Sequence, residues 1–197
     1  GLWLGESAEF VDELYKNNVE VDFVSPLGGF VPLDPRSMKY IDKDIMNIYS
    51  EEKFVQEGLI NTKKPKDIDP NNYHAIYYTG GHGVMWDFPD NKEIQEIARI
   101  SYILSVCHGV AGLFNIKDSE GNFLISGKRI TGFTKAEEIL AGKAKVVPFF
   151  NQKVAEERNA LFQKKRFYKE FALKDGRIIT GQNPFSVRAV AKLYLEE

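Results

Sequence analysis

The segment YILSV, Tyr102 to Val106, reads as a strand too apolar to lie at the edge of a sheet, and that requirement narrows the folds open to the chain. A strand apolar on both faces belongs in a sheet covered on both sides, which is the habit of α/β proteins. The neighbouring patterns agree. SAEFVDELYKNN puts Phe10, Val11, Leu14 and Tyr15 on one helical face, and VEVDFVS then alternates as a strand does. HAIYYTGGHG reads as a strand ending in a glycine turn. DNKEIQEIARI reads as a short helix with Asp90 as its N-cap, and KAEEILAG as a helix stopped at Gly142. GNFLISGKRITGFT reads as a hairpin or turn feeding a strand, FYKEFALKDGRIITG as a hairpin about Asp-Gly, and a last helix starts near Phe185. This alternation specifies an α/β fold with a largely parallel sheet. Between the PLGG turn and about Asn72 the sequence is irregular and rich in Pro, Asp and Lys, with one helix in SEEKFVQEGLI; it reads as a surface insertion.

Length supports one domain over residues 1–197. Two places fall out of pattern. A doubly wound sheet begins on an apolar strand, yet the chain opens on the turn GLWLGE and its helix. Between the helix IQEIARI and the strand YILSV stands only Ser101, where an αβ connection commonly takes ~2 to 6 residues. The reading therefore expects a first strand ahead of Gly1 and a few residues between Ile100 and Ser101 that the sequence does not show, with real divergence as the alternative.

Composition removes several classes of function. Twenty-six Lys and Arg stand against 28 Asp and Glu, and a net charge of −2 gives nucleic acid no basic face to grip. No apolar run approaches the roughly 18 residues of a membrane span, and GLWLGESAEF has neither the basic start nor the apolar core of a secretory signal. A cytoplasmic setting is expected. A single cysteine excludes an internal disulfide and a multi-cysteine metal site, and leaves packing or chemistry to explain it.

In open α/β sheets ligands bind beyond the carboxyl ends of the strands, so Cys107, just past YILSV, stands where chemistry is expected. A lone cysteine is more often an inert core residue. Here His108 and Gly109 follow at once, a polar and flexible pair that fits an exposed turn better than a core strand. A cysteine on a strand-to-helix turn also meets unpaired N–H groups that favour its thiolate and lower its pKa. His108 is a candidate acid–base, and such a histidine is usually oriented by a carboxylate. Glu137 and Glu138 supply two, about 100° apart on one helix, so only one can face the site. Both also suit a solvated first helical turn. Gly80 and Gly81 allow a tight turn that presents N–H groups to an oxyanion, and His82 within it is a candidate for touching substrate. Trp3, Met85, Trp86 and Phe88 are candidates for narrowing the mouth, although each also suits plain core. His74, His82 and Asp87 have no metal-ligand spacing, so no metal is expected. Glu6, at the start of the first helix, lies at the expected mouth.

Taken together, TGGHGVMWDFPDN, SVCHGVAGL, GKRITGFTKAEE and DGRIITGQNP resemble, in this order and spacing, the PfpI superfamily, also called the DJ-one family. The resemblance runs over essentially the whole chain and is strongest to the branch of heat-shock-protein-thirty-one-like glyoxalase III proteins, within the class I glutamine-amidotransferase-like fold. It implies a flavodoxin-like three-layer α/β/α sandwich and a triad of Cys107, His108 and a carboxylate placed at Glu138, with Glu137 as the fallback. It implies that Glu6 is the family's buried glutamate beside the sulfur, sharing a proton with it, and that the N–H groups of Gly81 and His108 hold the oxyanion. The implied activity is glutathione-independent conversion of methylglyoxal, a small reactive dicarbonyl, to D-lactate without a cofactor, with deglycase or holdase-chaperone activity in some members. A homodimer is implied as well. Two other functions compete: a PfpI-type cysteine peptidase or amidase, and a redox sensor or holdase in which Cys107 is oxidised without turnover.

Overall fold

The computed structural model describes residues 1–197, with Ile100 excepted at the level of its side chain. Its central sheet has four strands in the order β1 (Ala75–Tyr78), β2 (Tyr102–Val106), β6 (Ile178–Gly181) and β5 (Ala172–Asp175). β1, β2 and β6 run parallel, while β5 returns antiparallel through the Asp-Gly turn. The apolar YILSV thus lies between two partners. Its side chains alternate: Ile103 joins Ile178 in a core with Tyr78, Ile94 and Val110, whereas Leu104 and Val106 join Ile179 in another with Phe10, Leu14 and Val190. Both faces are buried, which makes an α/β/α sandwich and explains why the strand carries no polar face.

The helix α1 (Leu4–Lys16) covers the second face beside α7 (Val187–Leu195). Glu6, Phe10 and Leu14 recur every four residues and share one buried stripe, so the helix turns a carboxylate toward the sheet along with two apolar side chains. Phe10 stacks on Tyr77 with ring centres 3.7 Å apart, and the Tyr77 hydroxyl donates to the Glu6 carbonyl at 2.9 Å. At the outer end Arg188 donates to Asp12 at 2.8 Å and to Glu13 at 2.7 Å, tying α7 to α1. The other face is covered by α4 (Lys92–Ile100), which follows the short α3 (Val84–Asp87), and by the tight turns of Cys107–Leu113. The expectation of extra residues after Ile100 rests on that residue and falls outside the described ones.

Several expectations are corrected. VEVDFVS forms no ladder; it runs with a single bridge, Val24 to Lys63, because a cavity of about 650 Å³ separates it from the free edge of β1. Val19, Val21, Phe23, Ala75, Tyr77 and Leu104 line that cavity. The N-cap of α4 is Asn91, whose side chain accepts from Ile94 N–H at 2.9 Å, while Asp90 is taken by Asn115. The insertion holds α2 (Lys43–Tyr49) in addition to the expected helix, which is wound as a π-helix over Phe54–Ile60. The strand in KRITG is only Arg129–Ile130 (β3), paired with Leu161–Phe162 (β4) apart from the main sheet. Its continuation toward β6 is taken by a side chain: Thr131 N–H donates to the Thr180 hydroxyl at 2.9 Å. α5 (Lys135–Leu140) follows a capping box built by Thr134 and Glu137, and α6 (Asn151–Glu157) follows that.

Candidate active site

β2 ends at Val106, and the next residue turns sharply: Cys107 has φ +57°, a left-handed conformation that a side chain rarely adopts. The turn is held from below by close packing. A Cβ at Gly109 would lie 2.1 Å from the Tyr78 carbonyl oxygen, so only glycine lets the elbow sit on β1. Strain of this kind persists where the surroundings over-determine it and clusters at functional sites. The sulfur is buried and lies 3.2 Å from Nδ1 of His108, the adjacent residue, whose ring turns back beside it.

His108 Nε2 donates to Glu138 Oε2 at 2.8 Å, which leaves the Nδ1 lone pair facing the thiol. That tautomer is the one able to accept the cysteine's proton. Glu138 also accepts from His82 Nε2 at 2.7 Å on its other oxygen, and Arg36 approaches His82 Nδ1 at 3.2 Å. Asp34 fixes that guanidinium with contacts of 3.0 and 2.6 Å. Burial pushes the Glu138 carboxyl up, but the hydrogen bonds from the two histidines outweigh it and hold the group at about 2. Burial is also the main reason that His108 titrates below its ordinary value, so it is neutral at pH 7 and its link to Glu138 is a charge-assisted hydrogen bond.

The two glutamates of α5 divide as helix geometry requires. Glu137 points away into a buried hub. Its Oε2 accepts from the Thr134 N–H and hydroxyl, and its Oε1 from Tyr168 N–H, Gln182 and Asn183, at 2.8 to 3.0 Å. It does not touch His108 in this arrangement. Glu138 faces the site.

Glu6 lies beside Cys107. Both carboxyl oxygens are buried without a hydrogen-bond partner among the described residues, and burial raises the pKa to about 8. Its place depends on Gly80, where a Cβ would fall 2.2 Å from Glu6 Oε2 and 3.1 Å from the Cys107 Cβ. Burial and the nearby Glu6 charge push the thiol well up, against the His108 N–H that pulls it down. The expected lowering of the cysteine's pKa by its turn is therefore outweighed. Two acids in one dry site resist ionising together, so a negative charge on one keeps the proton on the other.

Other expected residues divide similarly. The Gly81 N–H makes no hydrogen bond to the protein among the described residues, so the donor is free to meet an oxyanion. Met85 is buried, Phe88 packs on Tyr78, Trp86 is exposed, and Trp3 pairs with Tyr40 at 5.6 Å. His74 bonds Tyr194, far along the chain, and shares no cluster with His82. His82, His108 and Glu138 bring three possible ligand atoms within 4.8 Å. Yet a cation there would need both Nε2 lone pairs, which would turn the His82 N–H toward the Arg36 guanidinium, donor against donor. The set is better made as a hydrogen-bond cluster. Arg36, Asp34 and Tyr168 had no local signal in the sequence, since their roles come from contacts with distant segments.

A cysteine on a strained elbow at the end of a parallel sheet, faced by a histidine and carboxylate, is the arrangement of a cysteine-dependent enzyme. No family model matches the chain. It is 33% identical to Glyoxalase 3 of Candida albicans over 98% of its length and 87% of that protein's. It is 30% identical to the glutathione-independent glyoxalase HSP31 of Saccharomyces cerevisiae, covering 97% of this chain and 86% of the other. The fold superposes on the crystal structure of Rapid Encystment Protein 24 kDa of Francisella tularensis with a TM-score of 0.93, at 34% identity over 100% of this chain and 89% of that one. The chain belongs to the family of glutathione-independent glyoxalases.

Proposed function

We propose that this protein is a glutathione-independent glyoxalase that converts methylglyoxal to D-lactate on Cys107, with no cofactor. The observation that carries the reading is the unbroken line Cys107, His108, Glu138, with contacts of 3.2 and 2.8 Å and the acceptor nitrogen of His108 turned to the sulfur.

The Cys107 thiolate adds to the aldehyde carbon, and the new C–S bond pushes the carbonyl electrons onto oxygen. The N–H groups of Gly81 and His108 are the donors for that oxyanion. His108 or Glu6 supplies the proton that makes it a hemithioacetal. His108 then removes the proton on the same carbon, giving an enediol, and a proton returned to the neighbouring carbon leaves a thioester of the hydroxy acid. Water cleaves the C–S bond of that thioester, releasing lactate and returning the thiol. Methylglyoxal plus water becomes lactate and a proton, so no outside oxidant is needed.

The same reading takes in a homodimer and a cytoplasmic setting, and deglycase or holdase action as secondary properties; none of the described helices is long and apolar enough to cross a membrane. The test is lactate formation from methylglyoxal without glutathione, comparing intact protein with Cys107→Ala. Turnover lost in the variant supports the reading. No turnover by folded intact protein sinks it and moves the weight to a redox sensor or holdase.

A further inference from the structure

The loop of residues 163–171 is strapped over the site by three buried polar side chains. Gln182 accepts from Lys165 N–H at 2.8 Å, Glu137 from Tyr168 N–H at 2.8 Å, and Asn183 donates to the Lys169 carbonyl at 2.8 Å. The same three side chains bond each other, with Gln182 and Asn183 both donating to Glu137. This is a costly way to hold a surface loop unless its exact position matters. At the centre of the strap Tyr168 has φ +54°, a conformation that bulky residues rarely take. The three bonds around it supply the over-determination that such a backbone needs.

The enforced turn directs the ring of Tyr168. It meets Phe133 edge-on at 6.1 Å, and Phe133 lies 4.4 Å from the ring of His108. On the outside it meets the exposed Phe185, at 6.4 Å. The residue is 38% exposed, and its hydroxyl has no hydrogen-bond partner among the described residues. Burial first, and then the nearby Glu137, Cys107 and Glu138, raise its pKa, so it is a standing donor at neutral pH.

We propose that Tyr168 is a specificity-determining residue: its ring closes one side of the mouth to wide substrates, and its hydroxyl donates to the carbonyl oxygen next to the carbon that Cys107 attacks. This rests on the glyoxalase reading, in which the substrate carries a second carbonyl oxygen on the carbon next to the aldehyde. The hydroxyl acts on binding, and the ring acts on size.

Steady-state kinetics with methylglyoxal and phenylglyoxal test both parts, using Tyr168→Phe and Tyr168→Ala. Tyr168→Phe keeps the ring and is expected to raise KM for methylglyoxal roughly fivefold with little change in kcat, the worth of one neutral hydrogen bond. Tyr168→Ala is expected to shift kcat/KM toward phenylglyoxal by about tenfold relative to methylglyoxal. A second measurement needs no turnover: the rates at which iodoacetamide and N-phenylmaleimide alkylate Cys107. Tyr168→Ala is expected to speed the bulky reagent by about tenfold more than the small one, and Tyr168→Phe to leave the ratio alone. An inactive wild-type protein would refute the glyoxalase reading and the hydroxyl's role, while the alkylation ratio would still decide the ring's. Unchanged substrate and alkylation ratios in a folded Tyr168→Ala protein would overturn the proposal.

Discussion

His82 and His108 lie with ring centres 4.1 Å apart and donate to opposite oxygens of the same carboxylate, that of Glu138. One acid thus holds two histidines, of which only one reaches the sulfur. The second keeps Glu138 ionised. His82→Ala removes a donor worth about 1.5 to 3 kcal/mol to a charged acceptor, so kcat/KM is expected to fall roughly ten- to a hundredfold. His82→Gln can keep an N–H on the carboxylate and is expected to lose less. Equal losses in both variants would mean that the imidazole itself acts on substrate.

Glu137 and Glu138 are adjacent in sequence and opposite in consequence. Glu138→Gln breaks the orientation and tautomer of His108, and an analogous change in a serine-protease triad costs ~10⁴ in kcat. The expected result here is a loss of at least ~10²-fold in kcat with a melting temperature near that of the parent. Glu137→Ala strands buried donors from four residues, each worth about 1 to 3 kcal/mol, and is expected to lower the melting temperature sharply. Thermal melts beside kinetics would show a reversed pattern if the assignment of the two acids were wrong.

The Glu6 carboxyl, held at about 8, gives the site a direction in pH. Its folded pKa lies above the unfolded value of 4.5, so the folded state binds the proton more tightly. The favourable contribution is whole below pH 4.5 and is lost as pH rises through about 8. Over the same upper range Glu6 loses the proton that the proposed mechanism has it hold beside the thiolate. Iodoacetamide alkylation of Cys107 is expected to titrate in two steps in the parent, because the two acids are coupled, and in one step in Glu6→Gln. A single step in the parent would show that the pair does not share its charge.

Gly80 separates the same two groups from the backbone. Gly80→Ala sets a methyl 2.2 Å from Glu6 Oε2, so the carboxylate must move. The variant is expected to lose turnover while keeping its fold, since the severe clash is with a side chain and the Val106 carbonyl oxygen, at 3.1 Å, need give by only tenths of an ångström. Circular dichroism with a lactate assay separates that result from unfolding.

How much of this was legible depended on range. Cys107, His108 and the pair at Glu137 and Glu138 stand in short motifs, and the strand YILSV carries its own burial in its composition. Helix geometry even required that one glutamate turn away, although not which one. What decided that was contact with Tyr168, Gln182 and Asn183, more than 30 positions along the chain. Arg36 reaches His82 from 46 positions away. Asp90 lost the cap to Asn91 by one residue because Asn115 claimed it. Periodicity also misled at VEVDFVS, since alternation shows which faces are apolar and says nothing of whether a neighbouring strand is within bonding reach.

That last case yields a measurable consequence. Strands in a sheet stand ~4.8 Å from each neighbour, yet among the described residues β1 pairs only with β2, and the run from Val19 to Phe23 pairs with no strand. The two face each other across about 650 Å³ lined by Phe10, Leu14, Tyr77 and Leu104. The space is open to solvent, so water wets those apolar side chains. The 197-residue chain is expected to enhance the fluorescence of the dye ANS in native buffer. No enhancement would mean that the cavity closes in solution.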